Sequence, residues 1–572
     1  MDLVAKDPIP QTYLEWFKAD LRHAEEWRKE AQKDYDYREG RMWSDADKQK
    51  LEDEHRPDTV FNGIAAIIDA ISGQEISNRQ EVRYIPREEG DSQPTELLTS
   101  AAQWFRDKAD ADDNDSEAFR DAITAGMGWT NTRLEHEDNP DGALKDDRLD
   151  PFEMVWDCNA RKQNIIDASR LWWVRELPAN EARAFLAGLD VTDIDDDDLH
   201  AAWASNAVWD GKSEPHVSEA VRDRMAGRRS ANGELEKVVL VQCQWIERED
   251  YYRVPIPGPD GRPQPQDMSA KDYEAFKKQG KANGVEIDAE MEKTLGIRKR
   301  KKKVRYQAFL GNIVLKVMPT ACPDHFNWNC ITGKKDQNKG QFYGMVRMLR
   351  DPNDWENKLF SQILYIINSQ AKGGIGVERG AFDNDAEAEA SWARSDAITY
   401  FKAGALGGNP RWMQKPTAQV PPALQYLLDF AQNAKYKVSG VNLELLGMRD
   451  AEQAGVLEYQ RRQAGLTILQ VYFDNLKIYR REQGELILWY IQNDLSDGRL
   501  VRIMGKAKAQ YVPLIKQASL EYDIIVDDAP TSPNQKEKNW QIVQQMLPVI
   551  KEMLTPEVML TLAEYSPLPS DI

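Results

Sequence analysis

At 572 residues the chain is too long for one compact core, so two to four structural units are expected. Hydrophobic residues make up 41% and charged residues 30%, the balance of a folded, rather polar protein. A formal net charge of −20 argues against a general DNA binder, which is basic over its binding surface, so any contact with DNA should be local or weak.

No apolar run reaches the ~18 residues that a membrane helix needs. The N-terminus "MDLVAKDPIPQ" has neither a basic n-region nor an apolar h-region, so no secretory signal is expected. Cys158, Cys243, Cys322 and Cys330 are too sparse for a disulfide framework and fit a reducing compartment.

In chain order, residues 11–55 read as helical, with Tyr13, Trp16, Phe17, Leu21 and Trp27 among many charges. An apolar helix runs from about Asn62 to Ile76, followed by an alternating segment with Val82 and Tyr84 that Pro86 ends. Gln93 to Ala109 reads as another helix, and "DSEAFRDAITAGMGWTNTR" as helix, glycine break at Gly126 and Gly128, then strand. "DIDDDDLH" reads as a solvated acidic loop or helix start, because it lacks the glycine and distal glutamate of an EF-hand loop. From Lys237 the alternation predicts a half-buried strand. Val239, Val241, Cys243 and Trp245 point one way and Gln242 and Gln244 the other, until the prolines and glycines of "VPIPGPDGRPQPQD" end it. A charged helix is expected over Ala270 to Lys281.

"GIRKRKKKVRY", residues 296–306, then packs seven Lys and Arg into an acidic chain. As a strand it puts Arg298, Arg300, Lys302 and Val304 on one side and Lys299, Lys301, Lys303 and Arg305 on the other, so only about half can face one partner. It reads either as a band of cations facing DNA or an acidic partner, or as a solvated edge strand whose lysines discourage unwanted pairing. "YQAFLGNIVLKVMP" predicts a hairpin turning at Gly311–Asn312. "RDPNDWENKLFSQILYIINSQAKGG" is the clearest helix. Asp351 is its expected N-cap, Pro352 its N1 residue, and Trp355, Leu359, Ile363 and Ile366 its packed stripe, with Lys358 and Lys372 as cations and Gly373–Gly374 as its end. A longer helix, about Ala451 to Gln492, carries a stripe of Leu466, Leu469, Phe473, Leu476 and Tyr479. A strand in "EYDIIVDDAP" follows, then a helical pair capped by Ser532, with Pro533 at N1 and Gln535 completing a capping box. Interspersed helices and strands give the class α+β.

Catalytic signatures are missing. The "GKS" at Gly211 has Asn206 where a P-loop needs its first glycine, there is no HExxH or G-x-S-x-G, and Gly126-x-Gly128 lacks the third glycine of a dinucleotide fingerprint. In "CPDHFNWNC", Cys322, His325 and Cys330 offer three metal ligands without a local fourth, and a loop with buried thiols is the preferred reading. Neither an enzyme nor a cofactor is expected.

Several blocks, in order, resemble the portal proteins of short-tailed, P22-like bacteriophages. "RPDTVFNGIAAIIDAISGQEISNRQEVRYIP" matches that family's first block at Ser72, Gly73, Gln74, Glu75, Asn78 and Arg79. Gly126, Gly128 and Trp129 match the next, and Trp156, Asp157, Asn159, Ala160, Arg161 and Asp167 the one after. "YGMVRMLRDPNDWENKLFSQIL" is the most specific, at Tyr343, Gly344, Val346, Arg347, Asp351, Pro352, Asn357 and Ser361. Departures occur: Asn353–Asp354 replaces the usual glutamine after Asp-Pro, and Ala454–Gly455 the usual Ser-Gly.

The resemblance implies a ring, of twelve subunits in the family, at one capsid vertex of the virion, assembled in the host cytoplasm. Double-stranded DNA is packaged and ejected through it. It implies docking of the terminase large subunit and then the tail adaptor, contacts with major capsid and scaffolding proteins, ejection proteins as further partners, and no membrane. Each subunit would have a wing (1–255), a first stem helix and clip (256–345), a second stem helix (346–374), a tunnel-side segment with long wing helix and wing strand (375–530), and a helical crown (531–572). The basic run would then sit at the stem–clip junction. Rival readings are another phage head–tail structural protein, an adaptor or ejection protein, and a DNA-processing enzyme that uses the basic run.

Overall fold

The computed structural model describes residues 3–54, 56–86, 92–136, 142–192, 194–208, 237–257, 263–282, 291–292, 295–371, 375–378, 381–382, 384–392, 398–403, 405, 412–414, 420–441, 455–494, 500–503, 510–513 and 522–528. The chain divides into two compact units. One takes Met1–Ala31, Ser72–Tyr343 and Val471–Ile572, the other Gln32–Ile71 and Gly344–Gln470. Both units contain helices and strands, the mixed content of an α+β protein. No helix among the described residues is long and apolar enough to cross a membrane.

The first unit is built on a six-stranded antiparallel sheet. Its order is Met154–Trp156, Arg170–Pro178, Lys237–Pro257, Arg298–Leu310 and Val314–Pro319, with Pro263–Ser269 paired to the far end of the long strand Lys237–Pro257. Val239, Val241, Cys243 and Trp245 are buried together with Tyr13, Phe17 and Trp172. The opposite face is not solvated as expected. Val238, Leu240 and Phe309 pack there in a second core, and Gln242 and Gln244 are buried as well. Gln242 Nε2 donates to Gln307 Oε1 at 3.1 Å, and Gln244 Oε1 accepts the Asn327 N–H at 3.2 Å, while the buried Gln244 Nε2 has no hydrogen-bond partner among the described residues. The pairing offsets the cost of burying these amides, fully for the Gln242–Gln307 bond and only on the oxygen side for Gln244.

Nor do the prolines end that strand. It continues to Pro257 and is met by the returning strand, with Pro255 opposite Pro265 and Pro257 opposite Pro263. Antiparallel residues alternate between inward- and outward-pointing N–H groups, so prolines two residues apart and directly opposed fall in the same class. A single register can therefore seat all four at positions whose missing N–H groups would point away from the partner strand.

A second sheet orders Trp328–Thr332, Met127–Glu135 and Ala143–Leu149. The helix Ala111–Ala125 turns into its central strand at Gly126, whose φ is +97°. A Cβ there would lie 2.4 Å from the Tyr343 Cα, and one on Gly128 would lie 1.8 Å from the Ala118 carbonyl oxygen. These two glycines are the condition for the helix and the 343 segment to approach the strand. The C-terminal part of the helix Gly455–Asn493 adds Leu486, Ile487 and Tyr490 to a core with Tyr84, Phe105 and Cys322. It also closes a buried ionic network. Arg106 lies 2.7 Å from both Asp112 and Asp115, and Arg480 lies 3.0 and 3.1 Å from the same two carboxylates.

The second unit contains the helices Asp45–Asp53, Val346–Ala371 and Pro422–Ser439. The Val346–Ala371 helix begins earlier than its proline signal suggests. Pro352 lies inside it and Asp351 is not its N-cap. The preceding turns are held by burial of Met345, Val346 and Leu349 and by Arg350, whose Nε is 3.0 Å from the buried Asp34. That anchoring outweighs the ~3 kcal/mol that proline costs inside a helix. The expected end at Gly373–Gly374 lies outside the described residues, as do Gly211, Ser532, Pro533, Gln535 and the segment 531–572.

Candidate functional site

The seven cations of the basic run lie on the strand Arg298–Leu310, in register with the acidic stretch of its neighbour: Lys302 faces Glu249, Lys301 faces Asp250 and Lys303 faces Arg248. The adjacent strand Val314–Pro319 pairs only from Tyr306 onward, so residues 298–303 form a sheet edge.

Four of the seven cations are committed. Lys299 Nζ binds Asp250 at 2.9 Å, which raises its pKa. Arg300 pairs with Asp267. Lys302 lies 3.2 Å from Asp324, with its ammonium 5.6 Å from the centre of the Tyr251 ring. Arg305 is half-buried, and its desolvation lowers its pKa. It donates to the Pro323 and Asp324 carbonyls and stacks over Phe326 at 4.6 Å. Arg298, Lys301 and Lys303 are exposed and have no ion pair among the described residues. The alternation predicted from sequence therefore exists, but the cations available to a partner come from both of its faces. The helix Ala270–Ala282 packs beside this edge by stacking Tyr273 on Tyr252, centroids 4.0 Å apart.

In the second unit, the face of Val346–Ala371 differs from the expected stripe. Leu359 and Ile366 are buried and Ile363 is half-buried, but Trp355 is 62% exposed. Its place inside is taken by polar groups. Asn357 Oδ1 accepts the Phe61 N–H at 2.6 Å, Ser361 Oγ donates to the Pro57 carbonyl at 2.7 Å, and Glu356 pairs with the buried Lys435. A tryptophan at helical spacing from two buried aliphatics reads as core by periodicity alone. The tertiary partners of Asn357 and Ser361 rotate the helix instead. Lys358 is exposed beside Asp354, 3.4 Å away, and Lys372 lies outside the described residues.

The remaining motif positions carry architecture. Arg79 pairs with Asp113 at 2.6 Å, next to Asn78. Gly73 is exposed, with nothing within 4 Å of the position its Cβ would take. Trp156 packs edge-on against Trp27, centroids 5.4 Å apart. Asp157 accepts the N–H groups of Asn159 and Ser169 at 3.0 Å each and lies 3.1 Å from Arg170. Tyr343 pairs with Lys334 across a short ladder, Gly344 is buried, and Arg347 approaches Asp34 at 3.9 Å.

The thiol set does not converge with His325. Cys322 and Cys330 are buried, and burial pushes the Cys322 thiol up to about 11. His325 turns instead to Glu482 and Glu485. Sequence reasoning also missed the Asn164–Thr332–Asn475 knot. Asn164 Oδ1 accepts the Thr332 N–H at 3.0 Å, and Asn475 Nδ2 donates to the Thr332 carbonyl at 2.7 Å. Its one local signal is the backbone of Asn164, φ +52°, a conformation that asparagine tolerates better than most residues.

Among known families, the one described as phage P22-like portal protein matches residues 14–571. A search of curated proteins finds no match.

Proposed function

The chain belongs to the phage P22-like portal proteins, and from that premise we propose that its basic edge strand is the docking or DNA-facing element of the portal. As a portal protein it is a structural component of the virion, part of the oligomeric ring at one capsid vertex through which double-stranded DNA is packaged and ejected. The family assigns no catalysis to it, and the packaging machinery docks on the ring. Twelve copies, with wing, stem, clip and crown, are our reading of that ring. In it, the hairpin region around the basic strand belongs to the clip, and the Val346–Ala371 helix is the second stem helix. The partners on that reading are the terminase large subunit, the tail adaptor, and capsid, scaffolding and ejection proteins.

The observation that supports the basic strand's role is selective engagement of its cations. Lys299, Arg300, Lys302 and Arg305 are spent within the unit, while Arg298, Lys301 and Lys303 stay exposed at an edge, with no ion pair among the described residues. An edge strand needs only a charge or two to prevent unwanted pairing. Three exposed cations exceed that need and suit phosphates or an acidic partner.

The test reverses Arg298, Lys301 and Lys303 to glutamate together and leaves Arg305 in place, because its guanidinium holds the 323–326 loop. Rings should still form by negative-stain microscopy, while packaged DNA per head or adaptor docking falls at least tenfold. A normal phage yield from the triple variant would remove the role.

A further inference from the structure

We propose a divalent transition-metal site formed by His325, Glu482 and Glu485. The imidazole is carried by the loop that follows the strand Val314–Pro319, and the two carboxylates are three residues apart on one face of the helix Gly455–Asn493. Glu485 Oε2 lies 3.2 Å from His325 Nε2, and Glu482 Oε2 lies 3.6 Å from His325 Nδ1. One ligand atom from each of the three residues falls within 4.8 Å of the other two, so a small rearrangement that brings both carboxylates to one ring nitrogen would close them to the roughly 3.5 Å ligand spacing of a tetrahedral site.

The ligand class follows from the donors. One imidazole and two carboxylates suit zinc, manganese or cobalt better than an all-oxygen calcium site, and they leave at least one position for water. Room for water exists. A cavity of about 50 Å³, whose lining includes His325, Glu482, Asn329, Arg305 and Cys330, opens beside the cluster, above the ~15 Å³ that a water needs. The thiols weighed in the sequence are not part of the cluster: Cys322 is buried, and Cys330, which lines the same cavity, directs its Sγ to the Ile331 carbonyl at 3.7 Å.

A metal here would clamp the loop 320–326 to the long helix. The same loop receives the Arg305 guanidinium and packs Phe326 against it, so the clamp would brace the base of the basic strand. Without metal, a protonated His325 between two carboxylates would make the same contacts as an ion triad, and the experiment separates the two.

Full-length protein, stripped with chelator and titrated with ZnCl₂, should take up one zinc per chain by elemental analysis. Affinity should fall at least tenfold in His325→Asn and in Glu485→Gln, while Cys322→Ser and Cys330→Ser keep it. Cobalt in place of zinc should give visible d–d bands without a thiolate charge-transfer band. Failure of the wild type to retain zinc, equal retention by His325→Asn and Glu485→Gln, or a thiolate band would overturn the site. Should one ligand variant fail to fold, the other and the cobalt spectrum still decide.

Discussion

At the residue scale, the most consequential group is one that no sequence pattern marks. Asp146 is fully buried, and burial, followed by the negative charge of Asp115, pushes its carboxyl up to about 7. Thr132 Oγ1 and Gln483 Nε2 donate to it at 2.7 and 2.8 Å, which makes the site tolerable but leaves it without a cation of its own. Arg106 and Arg480 are engaged by Asp112 and Asp115. The sign of the linkage follows. The folded pKa stands above the unfolded one, so Asp146's share of stability is complete below about pH 4, is lost as pH rises toward 7, and is level above that. A difference of about three pH units corresponds to roughly 4 kcal/mol. Asp146→Asn has nothing to titrate and can still pair with Thr132 and Gln483. Urea unfolding of both proteins from pH 4 to 8 should show the wild type losing stability relative to the variant up to pH 7 and no further. A difference that does not change with pH would show that Asp146 stays ionised.

At the element scale, the chain shows which features are legible in a sequence and which are not. The hairpin at Gly311–Asn312, the glycine break at Gly126 and Gly128, and the strand at Val82 and Tyr84 are local, because φ, alternation and turn chemistry define them over a few residues. The start of the Val346–Ala371 helix was not legible, because Asp34, more than three hundred residues away in sequence, anchors the turns before the proline. The orientation of Trp355 was not legible for the same reason. What turns the helix is hydrogen bonding of Asn357 and Ser361 to residues 57–61. The metal cluster was half legible: His325 stood out, but its partners lie on a helix distant in sequence. Pro352 tests this account. If tertiary anchoring carries the helix through an unfavourable residue, Pro352→Ala restores a bond from residue 352 to the Met348 carbonyl and removes a ring clash. Stability should rise by about 1–3 kcal/mol, read as a higher thermal midpoint of the full-length protein. A lower midpoint would mean that the proline shapes the helix in a way its neighbours depend on.

At the scale of the whole molecule, net charge and local charge have to be reconciled. Every chain adds −20 to the ring, yet one strand carries seven cations. The structure resolves this by pairing three of them with carboxylates within the unit and tying a fourth, Arg305, to backbone carbonyls. A DNA conduit should not grip its cargo, since each phosphate neutralised by a fixed cation releases a counterion and adds both affinity and drag. An acidic body with a few exposed cations can guide a duplex without holding it. The assembled protein should therefore bind free double-stranded DNA weakly, with a Kd no tighter than about 10⁻⁴ M at physiological salt. Whatever salt dependence exists should come from Arg298, Lys301 and Lys303. Their joint reversal should flatten a plot of log K against log salt by about 0.9 for each phosphate that is no longer neutralised. Fluorescence anisotropy with a labelled duplex between about 50 and 200 mM salt measures both quantities. Submicromolar binding with a steep slope in the wild type would show that the ring grips DNA, and the acidity of the chain would then need a different explanation.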